Sequence, residues 1–251
     1  MRIIALLNQK GGVGKTTTAV NVGAGLSRLG RRVLLCDLDP QGHMSQWLAG
    51  EQGQEGRATL HQVMKGSRPV REAMIQRGDF WVIPSCLELS AADSEFASTP
   101  GKERLLARAM AEVSGMDVLV LDCPPNLGLL TVNALALATD LLIPVQAEYL
   151  ALAVLGRLMD TVEAAKAFNP GLKVLGMVLT RYNHRKRLCR EVAGAVRAHF
   201  PQALFETRIR ESVALAESPG FGQSIFEYGP ASQAALDYAG LCREIAARGG
   251  M

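Results

Sequence analysis

Five short apolar runs punctuate the chain, at positions 3–7, 33–36, 118–121, 141–145 and 174–179. Each is rich in Val, Ile and Leu, and none alternates with polar residues. Near-continuous apolarity marks a strand whose two sheet faces are both covered, as in parallel sheets. Helical periodicity fills 16–29, 103–113, 151–168, 187–199 and 232–247. Strand and helix thus alternate, and the helices supply the crossovers that parallel strands require. The expected fold is α/β: a doubly wound, mostly parallel sheet with helices on both faces. Positions 50–100 are less regular. They read as two short helical pieces, 60–65 and 70–76, and one strand, 80–84, elaborating the same unit. No repeat or Pro/Gly/Ser-rich linker divides the chain, so residues 1–251 are expected to form a single domain.

Composition narrows the classes without choosing among them. Of 251 residues, 48% are apolar and 20% charged, which suits a globular protein with a large core. Lys plus Arg is 27 and Asp plus Glu 24, a net charge of +3. So small an excess does not steer the whole molecule to nucleic acid, and polyanion binding would need a local patch. The five cysteines, Cys36, Cys86, Cys123, Cys189 and Cys242, are scattered and lack C-x-x-C spacing. They read as reduced thiols of a cytosolic protein. The apolar run at 3–7 is too short for a signal peptide, and no run of 18 apolar residues exists to span a membrane.

The chemistry is concentrated after the first strand, in Asn8-Gln9-Lys10-Gly11-Gly12-Val13-Gly14-Lys15-Thr16-Thr17. A strand, a Gly-rich turn and a helix start are the context of a P-loop. Successive backbone N–H groups of Gly11, Gly12, Val13 and Gly14 form an anion nest, and the helix N-terminus adds partial positive charge. Lys15 is placed to reach the β- and γ-phosphates of a nucleotide. The Thr16 hydroxyl is placed to ligate Mg²⁺, and Thr17 to donate to the α-phosphate. The usual G-x-x-x-x-G-K-[ST] pattern is incomplete: Gln9 takes the first glycine position, and a second lysine, Lys10, precedes Lys15 by five residues.

This version of the loop, Lys10 to Thr17, resembles the deviant Walker A box of the ParA/MinD ATPases. Two acidic strand ends extend the resemblance. The run Val33-Leu34-Leu35-Cys36-Asp37-Leu38-Asp39-Pro40-Gln41-Gly42 is similar to the family's switch I, which implies that Asp39 polarises the attacking water and Asp37 lies near the metal. Leu119-Val120-Leu121-Asp122-Cys123-Pro124-Pro125 is similar to its Walker B, and a carboxylate such as Asp122 at the end of a buried strand is well placed to hold a Mg²⁺-bound water. The resemblance implies an ATP-bound homodimer in which Lys10 crosses to the partner's nucleotide, an ADP-bound monomer, and slow ATP hydrolysis. Its cofactors are therefore expected to be ATP and Mg²⁺, with Lys10, Lys15 and Asp39 catalytic.

Later segments resemble the ParA/Soj subgroup. The run from Glu206 to Pro219 is similar to the segment near the adenine, which implies that Arg210 and Ser212 sit by the base. Residues 181–190 hold five Lys or Arg and no acid. The resemblance implies non-specific DNA binding through Arg185, Lys186, Arg187 and Arg190. Doubled in a dimer, four cations give about eight phosphate contacts and a log–log salt slope of roughly −7. Ala214 stands where the subgroup often has another DNA-contacting arginine. The chain starts at the first strand without a helix-turn-helix, so sequence-specific repression is not expected. The implied role is positioning or segregating a cargo (chromosome, plasmid or protein assembly), with a ParB-like or other adaptor stimulating hydrolysis on the nucleoid. Two rivals stand beside it. A MinD-like membrane switch would need a basic amphipathic C-terminal helix, whereas residues 242–251 read as the close of a core helix. A P-loop iron–sulfur reductase or ligase-like synthetase would need chemistry at Cys123, which has no motif-spaced partner.

Overall fold

The computed structural model describes residues 1–50, 55–148 and 151–250. Among these, eight strands form one sheet: β1 (Arg2–Leu6), β2 (Val33–Asp37), β3 (Ile75–Arg77), β4 (Phe80–Ile83), β5 (Val118–Asp122), β6 (Asp140–Gln146), β7 (Lys173–Tyr182) and β8 (Leu204–Arg210). Their order is β3-β4-β2-β5-β1-β6-β7-β8. All neighbours are parallel except the β3–β4 pair. The helices in chain order are α1 (Lys15–Arg28), α2 (His43–Leu48), α3 (Leu60–Met64), α4 (Ala92–Glu95), α5 (Leu105–Met110), α6 (Leu129–Leu137), α7 (Ala151–Lys166), α8 (Arg187–His199), α9 (Val213–Glu217), α10 (Ile225–Tyr228) and α11 (Gln233–Gly249).

The unbroken apolarity of the strands has a direct cause. Ile3, Ala5, Leu7, Leu34 and Cys36 face one core with Leu60, Leu105, Leu130, Leu155 and Val192. The residues between them, Ile4, Leu6, Val33 and Leu35, face a second core with Ala19, Val22, Met44, Ile225 and Tyr238. Helices α3, α5, α6, α7 and α8 therefore cover one face, and α1, α2, α10 and α11 the other. Alternate side chains point to opposite faces, and both faces exclude water.

All six expected strands form, the one at 80–84 as β4, and the helical stretch 187–199 forms with the same bounds. Two readings change, and two elements were missed. The stretch 103–113 divides into a 3₁₀ turn, Lys102–Arg104, and the shorter α5. The helical piece at 70–76 is a 3₁₀ turn, Val70–Glu72, running into strand β3, which pairs antiparallel with β4 at the sheet edge. Helix α6 was not expected. Its sequence, LLTVNALAL, is apolar all round and carries no amphipathic signal. Strand β8 also escaped, because LFETRIR is broken by charges. It is the other sheet edge, and α11 satisfies its backbone: the Glu244 carboxylate accepts from the N–H groups of Glu206 and Thr207 at 2.9 and 2.8 Å.

From β1 the chain winds outward on one side, returns to β5, then crosses β1 to β6 and winds out on the other side. Such a reversal opens a crevice at the carboxyl ends of the strands, where open α/β sheets place ligands. The loops after β1, β2 and β5 all emerge there. No helix among the described residues is long and apolar enough to cross a membrane.

Candidate functional site

The loop after β1 is held from both sides. The buried Asn8 amide donates to the Pro144 carbonyl at 2.7 Å, and its Oδ1 accepts from the Lys10 N–H at 3.0 Å. The Thr180 hydroxyl donates to the Val13 carbonyl at 2.8 Å. Gly12 and Gly14 lie in the left-handed region, with φ of 75° and 86°, where L side chains are strained. A Cβ on Gly11 or Gly12 would meet nothing within 4 Å, so the loop's outer surface is open. Gly14 is the N-cap of the 14-residue α1, which has no capping side chain and no acidic residue in its first turn. The first N–H groups of that helix are free to meet an anion.

Lys15 opens α1 and is almost buried, its Nζ 3.4 Å from the Lys10 carbonyl. Burial lowers its pKa, while the fields of Asp122 and Asp39 oppose that shift. It has no carboxylate partner within ion-pair range among the described residues. An ammonium held out of water without a counterion is poised for an external anion.

Beneath the loop, parallel pairing sets Asp37 of β2 beside Asp122 of β5. Asp37 accepts from the Ser45 N–H at 2.9 Å, the Ser45 hydroxyl at 2.6 Å and the Asp39 N–H at 3.1 Å. Burial nevertheless raises its pKa to about 6. Both oxygens of Asp122 are buried without a hydrogen-bond partner. Burial pushes the Asp122 carboxyl well above the usual range and Asp37 adds to this, while nearby Thr16 and Lys15 oppose it. Asp39 lies one step outward, its Oδ1 accepting from the Gln41 N–H at 3.0 Å.

Two cavities meet on the loop and share Gly12, Gly14 and Thr17. One, of about 700 Å³, is lined by Gly11, Lys15, Thr16, Asp39 and Pro125. The other, of about 500 Å³, is lined by Thr180, Arg181, Ile209, Arg210, Ser212 and Tyr238, among others. The first presents Lys15, Thr16 and Thr17 to a charged group, and the second sets Ile209, Leu215 and Ala216 on one wall beside Arg181, Arg210 and Glu211. Arg210 and Ser212 line this second cavity, and both are engaged. Arg210 grips Asp237 of α11 with two N–H groups, one contact being Nε to Oδ2 at 3.0 Å. Ser212 Oγ accepts from the Leu215 N–H as N-cap of α9.

Lys10 turns to its own chain, where its ammonium pairs with the Glu148 carboxylate just after β6. The basic segment is less uniform than its sequence. Lys186 pairs with Glu211 at 3.0 Å and Arg187 with Glu191 at 2.6 Å. Arg190 donates to the His184 carbonyl at 2.7 Å and has no carboxylate partner among the described residues. Arg185 shows no ion pair among the described residues. Ser45 joins the site from eight residues beyond Asp37, whereas Thr180 and Glu148 reach it through long-range packing. Asn8 had one, a polar residue directly ending an apolar strand.

Comparison with known proteins agrees with this geometry. A family model described as "AAA domain" matches residues 1–174. The chromosome-partitioning ATPase Soj of Thermus thermophilus is 42% identical over 99% of this chain and 96% of its own. The sporulation initiation inhibitor protein Soj of Bacillus subtilis is 39% identical over 99% of each. Among solved structures, cobyrinic acid a,c-diamide synthase from Mycobacterium smegmatis, with a bound ATP analogue and magnesium, superposes with a TM-score of 0.85 at 33% identity, over 97% of this chain and 93% of its own. With an unusual P-loop, two acidic strand ends and full-length likeness to Soj proteins all in one chain, this protein belongs to the ParA/Soj group of the ParA/MinD family of P-loop ATPases.

Proposed function

We propose that the chain is a Mg²⁺-dependent ATPase, a single ParA-like domain that dimerises on ATP, binds DNA non-specifically and positions a cargo. The observation that carries the nucleotide reading is the Asp37–Asp122 pair beneath an open P-loop: two buried carboxylates, one with neither oxygen within hydrogen-bond geometry of a donor although Thr16 lies near. Unpartnered buried carboxylate oxygens call for a cation. No cluster of three ligating side chains among the described residues could hold a metal by itself. This fits an ion such as Mg²⁺ that arrives with phosphates and takes only one or two protein groups. Thr16, Asp37 and Asp122 would hold it, directly or through water. When bound, it would neutralise charge on the β- and γ-phosphate oxygens.

The chain's own groups do the rest. Gly11, Gly12, Val13 and Gly14 present backbone N–H groups, with Thr16 and Thr17 at the start of α1, and Lys15 neutralises the phosphates from below. Asp39 orients the attacking water. Lys10, released from Glu148, reaches the partner's nucleotide across the dimer. Positioning and charge neutralisation, without covalent chemistry, suffice for phosphoryl transfer. Arg185, Lys186, Arg187 and Arg190, doubled by dimerisation, hold DNA phosphates. A ParB-like or other adaptor stimulates hydrolysis, and the protein acts in the cytoplasm on the nucleoid.

The test is calorimetric titration of ATP with and without Mg²⁺, followed by light scattering and DNA retention with each nucleotide. ATP binding that needs Mg²⁺ and Lys15, with ATP-dependent dimers that retain DNA, is the expected result. The likeness to a diamide synthase favours a second reading, an ATP-dependent amide-forming enzyme. ATP turnover that requires a carboxylic acid and an amine donor, and ignores DNA, would select it.

A further inference from the structure

Arg181 has a left-handed backbone, with φ of 49°, and no other non-glycine residue among those described does. Its neighbours are fixed. The hydroxyl of Thr180 is bonded to Val13 of the P-loop, and Tyr182 is buried, its hydroxyl accepting from Arg208 at 2.8 Å. The turn therefore falls on residue 181, where glycine or asparagine would serve with less strain. Strain kept at the rim of a cavity points to a use for the side chain.

We propose that Arg181 is a nucleobase-binding residue, its planar guanidinium covering one face of the purine in the 500 Å³ cavity. This inference rests on the nucleotide reading above. The cavity joins the P-loop at Gly12 and Gly14 and is walled by Ile209, Leu215 and Ala216, an apolar bed for a flat ring. The other charged groups on its wall are engaged: Arg210 by Asp237, and Glu211 by Lys186. Arg181 makes no side-chain hydrogen bond or ion pair among the described residues, although its field helps to hold the Glu211 carboxyl below its usual range. Phosphate charge is met elsewhere, by Lys15 and the start of α1. What remains for Arg181 is the base, and a weakly hydrated planar cation is suited to an aromatic face.

The experiment is calorimetric titration of ATP, ADP and inorganic tripolyphosphate, each with Mg²⁺, into the wild-type chain, R181G, R181K and K15A. Glycine accepts the backbone of residue 181, so R181G is expected to melt no lower than the wild type. It should bind ATP and ADP about 5- to 30-fold more weakly while keeping its tripolyphosphate affinity. R181K should fall between the two. ATP affinity within twofold of wild type in R181G overturns the proposal, as does equal weakening of ATP and tripolyphosphate, which would make Arg181 a phosphate contact. Intact nucleotide binding with reduced DNA retention would assign Arg181 to the DNA surface and overturn it too. A wild-type chain that binds no ATP, and so shows no contrast with K15A, overturns the nucleotide reading along with the inference.

Discussion

Asp37 and Asp122 are register partners on adjacent parallel strands, 0% and 1% exposed, yet only Asp37 has hydrogen-bond donors. The pairing of β2 with β5 thus concentrates negative charge under the P-loop without neutralising it. This is costly in the empty protein, and it is relieved by protonation or by a cation.

A pH dependence follows. The folded Asp37 carboxyl titrates at about 6, against roughly 4 in an unfolded chain. Between these values the folded state holds the extra proton, so stability falls as pH rises through that window. Asp122 shifts in the same direction. In chemical denaturation from pH 4 to 7, the D37N/D122N double variant should lose less stability than the wild type. ATP with Mg²⁺ should reduce the loss in the wild type, because a cation favours the ionised carboxylates.

Asp122→Asn should separate stability from function. A neutral amide cannot ionise, so the variant is expected to lose less stability than the wild type as pH rises in the absence of a cation, read as a higher melting temperature at alkaline pH. The same variant should lose Mg²⁺-dependent ATP binding. A lower melting temperature together with unchanged ATP binding would mean that Asp122 serves packing alone.

The Lys10–Glu148 pair is half exposed on both sides, so breaking it costs little stability, up to about 1 kcal/mol. Glu148→Gln frees the Lys10 ammonium and should shift ATP-dependent dimerisation to lower protein concentration, by up to about fivefold. Lys10→Ala should keep ATP binding and lose both dimer and hydrolysis. Light scattering across a concentration series distinguishes the two, and an ATP dimer of K10A would remove Lys10 from the interface.

Asp39→Ala should bind ATP and dimerise but turn over slowly, leaving an ATP-bound dimer that stays on DNA. The Asp39 carboxylate lines the phosphate-side cavity, and its local bond to Gln41 serves only its own loop. Phosphate release at the wild-type rate would exclude it as the group that orients water.

On the proposed DNA surface, the neighbours of each cation set the ranking. Among the described residues, Arg185 and Arg190 have no carboxylate partner, whereas Lys186 and Arg187 each have one. Arg190→Ala should reduce the salt slope of a dimer by about 1.8, two contacts at roughly 0.9 each. Arg187→Ala should reduce it less. Glu211→Gln should strengthen DNA retention by freeing Lys186. The check is filter binding over a salt series, and equal slopes for all four proteins would discard this surface.

The amino-acid sequence by itself determined the α/β alternation, because buried parallel strands write unbroken apolar runs, and it determined the P-loop, because Gly12, Gly14 and Lys15 act within one short segment. It also marked Asp37 and Asp122 as strand ends. Helix α6 and strand β8 were illegible, the first being apolar on every side and the second an edge whose charges interrupt its apolar residues. Only the tertiary structure decided that Asp37 and Asp122 lie side by side, since their contact depends on a strand register across 84 residues of intervening chain. The same is true of Glu148 on Lys10, Asp237 on Arg210 and Glu211 on Lys186. Charge pairs between distant elements leave no periodicity, because each depends on where the sheet brings two loop ends together.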